Sequence, residues 1–171
     1  MPKPPRLPRS AHPSVLLAIS GILLLAAAAL AQKYTGPRPP KPDVLYLLHA
    51  DTLVPTEVTE AKQETKKNDV TYTIQGANSS ARTPMAEPIF IIESDKIQAQ
   101  SLELYKMEVK GGHREVTMAL RRTRGGNKPL RLSVTRLDRG LYRVEADQQM
   151  ENGQYAISPS GANTVFCFEV Y

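Results

Sequence analysis

Tryptophan is absent from the 171 residues, and seven Tyr and three Phe supply all the aromatic bulk. The core must therefore rest on Val, Ile, Leu, Met and Tyr, and a stacking platform for sugars is disfavoured. Cys167 is the single cysteine, so no internal disulfide can form. Small exported domains often use such bridges to supplement a small core. A chain of this length still buries roughly two-thirds of its surface on folding, so it can fold without one.

Catalytic and cofactor motifs are missing as well. There is no G-x-S-x-G elbow, and Ser158-Pro159-Ser160-Gly161 reads as a turn because Pro and Gly punctuate it. No P-loop or dinucleotide fingerprint is present. Gly111-Gly112 and Gly125-Gly126 read as hairpin glycines. His49 and His113 are the only histidines after residue 12, and with one distant cysteine they make no zinc set. The acids show no D-x-D calcium pattern. No metal and no cofactor are expected. A hydrolase with two carboxylates from distant strands is the one enzymatic alternative, because such a pair leaves no local motif.

What is present begins with an address. The first thirteen residues hold Lys3, Arg6, Arg9 and five prolines, without an acid. An apolar run over 15–30 follows, broken only by Ser20 and Gly21, and leads to Ala29-Leu30-Ala31. A basic start, an apolar middle and an A-x-A exit make a signal peptide, residues 1–31, cut after Ala31. The alternative is an uncleaved membrane anchor with the domain still outside the cytoplasm, since about 17 apolar residues is the lower limit for a span. The expected location is secreted or periplasmic. Membrane contact would run only through an uncleaved signal segment. Cleavage removes three basic residues and no acid, which leaves 19 Lys+Arg against 17 Asp+Glu. The basicity of the whole chain is therefore partly a targeting feature, and no nucleic-acid partner is expected.

Residues 32–43 carry Pro37, Pro39, Pro40 and Pro42, which favour an extended polyproline spacer. From residue 44 onward, apolar runs alternate with turn residues every 8 to 14 positions, the pattern of a sandwich or barrel. Residues 44–171 are predicted to form one all-β domain. It would be an antiparallel β-sandwich, immunoglobulin-like or open barrel-like, with about ten strands and no long helix. Residues 57–67 have helix-favouring Glu, Ala, Lys and Gln. A helix there would bury only Val58 and Ala61, so an exposed strand in a long hairpin is favoured. Residues 88–93 fit a strand buried on both faces. Residues 102–109 and 114–120 form a hairpin. The inward phase of its first arm shifts between Leu104 and Tyr105, which predicts a bulge.

Gly140-Leu141-Tyr142-Arg143-Val144 echoes Gly153-Gln154-Tyr155-Ala156-Ile157, and the spacing of two puts each Tyr and its β-branched partner on one face. These strand entries, with the stretch from Asn152 to Gly161, Phe166-Cys167-Phe168-Glu169-Val170 and residues 88–114, resemble parts of uncharacterised secreted bacterial β-sandwich proteins. The resemblance covers about half the chain and implies a fold and an exported location, but no activity.

Charge segregation is the one signal above background. Residues 110–143 hold ten Lys or Arg against Glu115 and Asp138, while 144–171 hold four acids and no base. If 114–120, 130–136 and 141–146 are neighbours, Arg131 and Arg143 share one outer face beside the 121–129 loop. The candidate set for binding an anionic envelope polymer or lipid headgroups is then Arg121, Arg122, Arg124, Lys128, Arg131 and Arg143. The competing reading is neutralisation across strands by Glu103, Glu108, Glu145 and Glu169. Cys167 is expected to be buried and unreactive, with no basic neighbour in sequence. The reading that follows is an exported, non-enzymatic interaction or structural module of the cell envelope, its partner an envelope protein or an anionic polymer.

Overall fold

The computed structural model describes residues 34–119 and 127–171. The chain divides into two compact units, 1–33 and 34–171, and every described residue belongs to the second. The export segment and Arg121, Arg122 and Arg124 lie outside the described residues.

The fold is all-β and antiparallel apart from one short parallel pairing. The strands are β1 Leu45–His49, β2 Thr52–Pro55, β3 Glu57–Glu60, β4 Lys62–Lys66, β5 Asp69–Gln75, β6 Arg82–Thr83 and β7 Ile89–Glu93. They continue with β8 Leu102–Lys110, β9 His113–Ala119, β10 Leu132–Asp138, β11 Leu141–Ala146, β12 Gly153–Pro159 and β13 Thr164–Val170. A 3-10 turn, Ala99–Ser101, leads into β8. The described strands outnumber the expected ten or so because the 52–66 stretch breaks into three and β6 adds a two-residue piece. Residues 57–66 are strands, as their threonines and missing apolar face require.

Two sheets are layered. One is five-stranded in the order β10-β11-β7-β1-β2. The other runs β3-β13-β12-β8-β9-β5-β4, with β6 beside β13. One extended segment serves both sheets. β2 ends at Pro55, β3 begins at Glu57, and buried Thr56 makes the corner between them. Its N–H and its hydroxyl both donate to the Leu45 carbonyl, at 3.0 and 2.7 Å. The next corner has a larger effect. β3 and β4 are the two ends of the second sheet, yet only Ala61 separates them in the chain. The sheet therefore curls towards itself into a half-barrel, with the Ala61 N–H donating to the Asn163 carbonyl at 2.8 Å.

Alternation along the strands supplies two cores, because successive side chains leave opposite faces. Leu102, Leu104, Tyr155, Ile157, Phe166 and Phe168 pack against the five-stranded sheet, where they meet Leu45, Leu47, Phe90, Ile92 and Val144. Ala156, Val165, Cys167 and Met107 point the other way, into the curl, where they meet Ala61, Ile74 and Val116. Both Gly-x-Tyr entries work as expected: Tyr142 packs on the first core with Val144, and Tyr155 lies in it with Ile157.

The expected bulge at Leu104–Tyr105 is absent. The register from Pro159↔Leu102 to Gln154↔Met107 is unbroken. The change of inward phase has another cause, because Leu104 serves one core and Tyr105 the other. The 102–110/113–119 hairpin also pairs over only three positions, since β8 passes from β9 to β12.

The proline-rich residues before β1 are tied to the domain. Arg38 pairs with Glu93 and Asp138, and Pro39 is buried. The Asp43 N–H donates to the Glu93 carbonyl at 2.9 Å, and the Asp43 carboxylate accepts from the Ser94 hydroxyl at 2.6 Å. Among the described residues no helix is long and apolar enough to cross a membrane.

Candidate functional site

The inside of the curl has two ends of opposite character. One is closed by charge. Arg114, on β9 opposite Ile74 of β5, points inward and is only 1% exposed. Its Nη1 and Nη2 donate to the two carboxylate oxygens of Glu57, at 2.9 and 2.8 Å. Its Nε and Nη2 also donate to the carbonyls of Gly76 and Gln75, both at 3.0 Å. A guanidinium is the group that can fill such a fork, since its donors are planar and fixed. Burial pushes the Glu57 carboxyl up, but hydrogen bonds from Arg114 and Ser79 outweigh this and hold it below the usual carboxylate range. The buried Gln154 accepts from the Ser79 N–H at 2.9 Å and completes the plug.

Cys167 stands directly across from Glu57 in the β13–β3 ladder and is fully buried. Burial pushes its thiol up to about 12, and the nearby Arg114 charge only partly offsets this. The thiol is therefore neutral near pH 7. A basic neighbour does exist, but it comes from β9 and is already engaged by Glu57.

The other end of the curl is an apolar pocket of about 50 Å³. That is room for about two water-sized or methyl-sized groups. Small residues on β12 and β13 leave the space: Ala156 and Val165 stand where the other face of the same strands carries Tyr155 and Phe166. Met107, Val116 and Met118 supply further walls. At its edge the Tyr105 hydroxyl donates to Glu103 Oε2 at 2.8 Å. Burial raises the Tyr105 pKa and the Glu103 charge raises it further, so the phenol stays protonated. The Ser158 hydroxyl is occupied by the carbonyls of Pro159, Ala162 and Thr164, at 3.1, 3.2 and 3.0 Å.

The basic residues singled out in the sequence are dispersed. β9 lies in the curled sheet, paired with β5 and β8, and does not neighbour β10 or β11 as the charge argument supposed. Arg114 is internal, and Lys110 is held by Glu108 and Glu115 at 2.7 and 2.8 Å. Exposed Arg131 and half-buried Arg143 do share the outer side of the five-stranded sheet, one before β10 and the other on β11. Glu145, opposite Ser133, lies between them and pairs with Arg143 at 2.6 Å. The Arg143 Nε is buried and has no hydrogen-bond partner among the described residues. Lys128 and Arg131 are exposed and make no ion pair among the described residues. Of the four acids invoked for neutralisation, Glu108, Glu145 and Glu169 each hold a base, whereas Glu103 holds Tyr105.

Sequence reasoning missed the pocket and the plug. Glu57, Glu103, Tyr105 and Arg114 are ordinary residues of polar strands, and only the curl brings them inside. His49 meets Thr83 at 3.0 Å and His113 meets Glu115 at 3.2 Å. No group of three or more His, Cys, Asp or Glu is arranged to hold a metal among the described residues. No family model, curated protein or solved structure matches the chain.

Proposed function

We propose that this chain is an exported, non-enzymatic binding module whose site is the open end of the curled sheet. The export segment and the empty motif search support the first part of the reading. The observation that carries the second is the apolar pocket between Ala156, Val165, Met107 and Val116, beside the Tyr105–Glu103 pair. Such a pocket takes the end of a short apolar chain or side chain, because burying each methylene contributes about 0.8 kcal/mol. It offers no nucleophile with an adjacent base, and its serine is spent on backbone carbonyls.

Melting of the protein with and without isobutanol tests the reading. A ligand of the native state raises the melting temperature by mass action. Ala156→Val adds about two carbons at the pocket wall, in a strand that suits a β-branched residue. Isobutanol should stabilise the wild type and leave Ala156→Val unchanged. No stabilisation of the wild type, or equal stabilisation of both proteins, would count against the pocket.

Binding of anionic polymers through Lys128, Arg131 and Arg143 remains the second reading, favoured by exposed Lys128 and Arg131, which make no ion pair among the described residues. Glu145 between the two arginines weakens it.

A further inference from the structure

We propose that the pocket recognises a primary alkylammonium group, with the short apolar end inside and the ammonium on the Glu103 carboxylate. This rests on the pocket being a binding site and adds the chemistry of its ligand. Among the described residues Glu103 is the only charged side chain in the pocket wall. Its carboxylate accepts one hydrogen bond, from Tyr105, and makes no ion pair among the described residues. A carboxylate has about four acceptor sites, so most of its capacity is open. Lys62 of β4 is no rival cation, since it stands on the outer face of the curled sheet with Thr73 and Glu115 and is held by Glu64 at 3.0 Å.

Charge and size narrow the ligand. An anion at the mouth would be repelled by Glu103. A neutral group would cover the carboxylate and leave its charge unmatched, which costs free energy. An ammonium supplies the missing charge and three donors. The pocket's room for about two carbon groups then fits a short alkyl chain or a small branched one. The Tyr105 hydroxyl, kept protonated by burial and by Glu103, orients the carboxylate without neutralising it. Two sources carry this chemistry: a free small amine, and the N-terminus of a peptide with an apolar first side chain.

The test is calorimetric titration of the full chain at pH 7 with isobutylamine, isobutanol and isobutyrate, which share one apolar end. Isobutylamine should bind about ten-fold more tightly than isobutyrate and several-fold more tightly than isobutanol, and added salt should narrow the gap. Glu103→Gln should abolish the preference while isobutanol still binds. Equal binding of all three compounds to the wild type would overturn the ammonium assignment and leave the pocket standing. Failure of all three to bind would overturn both. The tripeptide Val-Gly-Gly and its N-acetyl form separate the sources. Binding of the free form above isobutylamine assigns the peptide terminus, and weaker binding assigns the small amine. Equal binding of free and acetylated peptide would contradict the proposal.

Discussion

Strands β12 and β13 show two kinds of interior on their two faces. Towards the five-stranded sheet they carry Tyr155, Ile157, Phe166 and Phe168, which close-pack. Phe90 meets Phe168 edge-on at 4.9 Å, and Tyr155 stacks on Phe168 at 5.6 Å. Towards the curl the same strands carry Ala156, Val165 and Cys167, and the space they leave is part pocket and part salt bridge. Large side chains on one face hold the sheets together with a single hydroxyl among them to satisfy, that of Tyr155, which donates to the Glu151 carbonyl at 2.8 Å. Small side chains on the other create room, which the Arg114–Glu57 pair fills at one end and leaves as an apolar pocket at the other. The first face accounts for the fold and the second for the candidate site.

The sharpest way to break this contrast is to hollow the packed face. Phe168→Ala should cost about 4 kcal/mol, the range for a fully buried aromatic, measured by urea unfolding. A cost near that of an exposed position would mean the two faces do not differ as described.

Next in size is the plug. Arg114→Met leaves the Glu57 carboxylate half-buried without its partner and should cost about 3 kcal/mol. Glu57→Leu combined with Arg114→Met should recover much of that loss, because no charge remains unpaired. Acid should act on the same pair. The Glu57 pKa is lower in the folded than in the unfolded chain. Its contribution is therefore present above the ordinary value of 4.5 and lost as the pH falls through the folded value. Wild-type stability should decline below that range, and Glu57→Gln should flatten part of the decline.

The smallest effect belongs to the surface. Lys128→Ser and Arg131→Ser should each change stability by less than about 0.5 kcal/mol, because both side chains are exposed and make no ion pair among the described residues. Retention of anionic polymers by the wild type at low salt, lost in the double variant, would favour the second functional reading over the first.

Most strands were legible because each carries its own pattern. Val70, Tyr72 and Ile74 alternate with threonines. Ile89 to Ile92 are apolar without a break. Ala50, Gly111, Gly112 and Gly140 mark turns that need positive φ, here 52°, 54°, 80° and 69°. The curl was not legible. It arises from two corners, at Thr56 and Ala61, in a stretch whose composition shows only polar strand. A second interior therefore could not be anticipated, and two faces buried in different cores looked like one strand with a bulge. Arg114 shows the limit most plainly. In sequence it is one of ten basic residues in 110–143 with nothing to mark it as internal, yet it is among the least exposed side chains of the domain. The pocket was hidden for a related reason: Ala156 and Val165 signal space only once their neighbours across the curl are known.

Three methionines offer the most direct measurement, since they divide between the two interiors. Met107 and Met118 line the pocket, whereas Met150 is buried in the packed core. Xenon enters apolar cavities and not close-packed cores. Methyl NMR of the protein under xenon should shift Met107 and Met118 saturably and leave Met150 in place. Equal shifts at all three, or none at Met107 and Met118, would contradict the division into a packed face and a binding face.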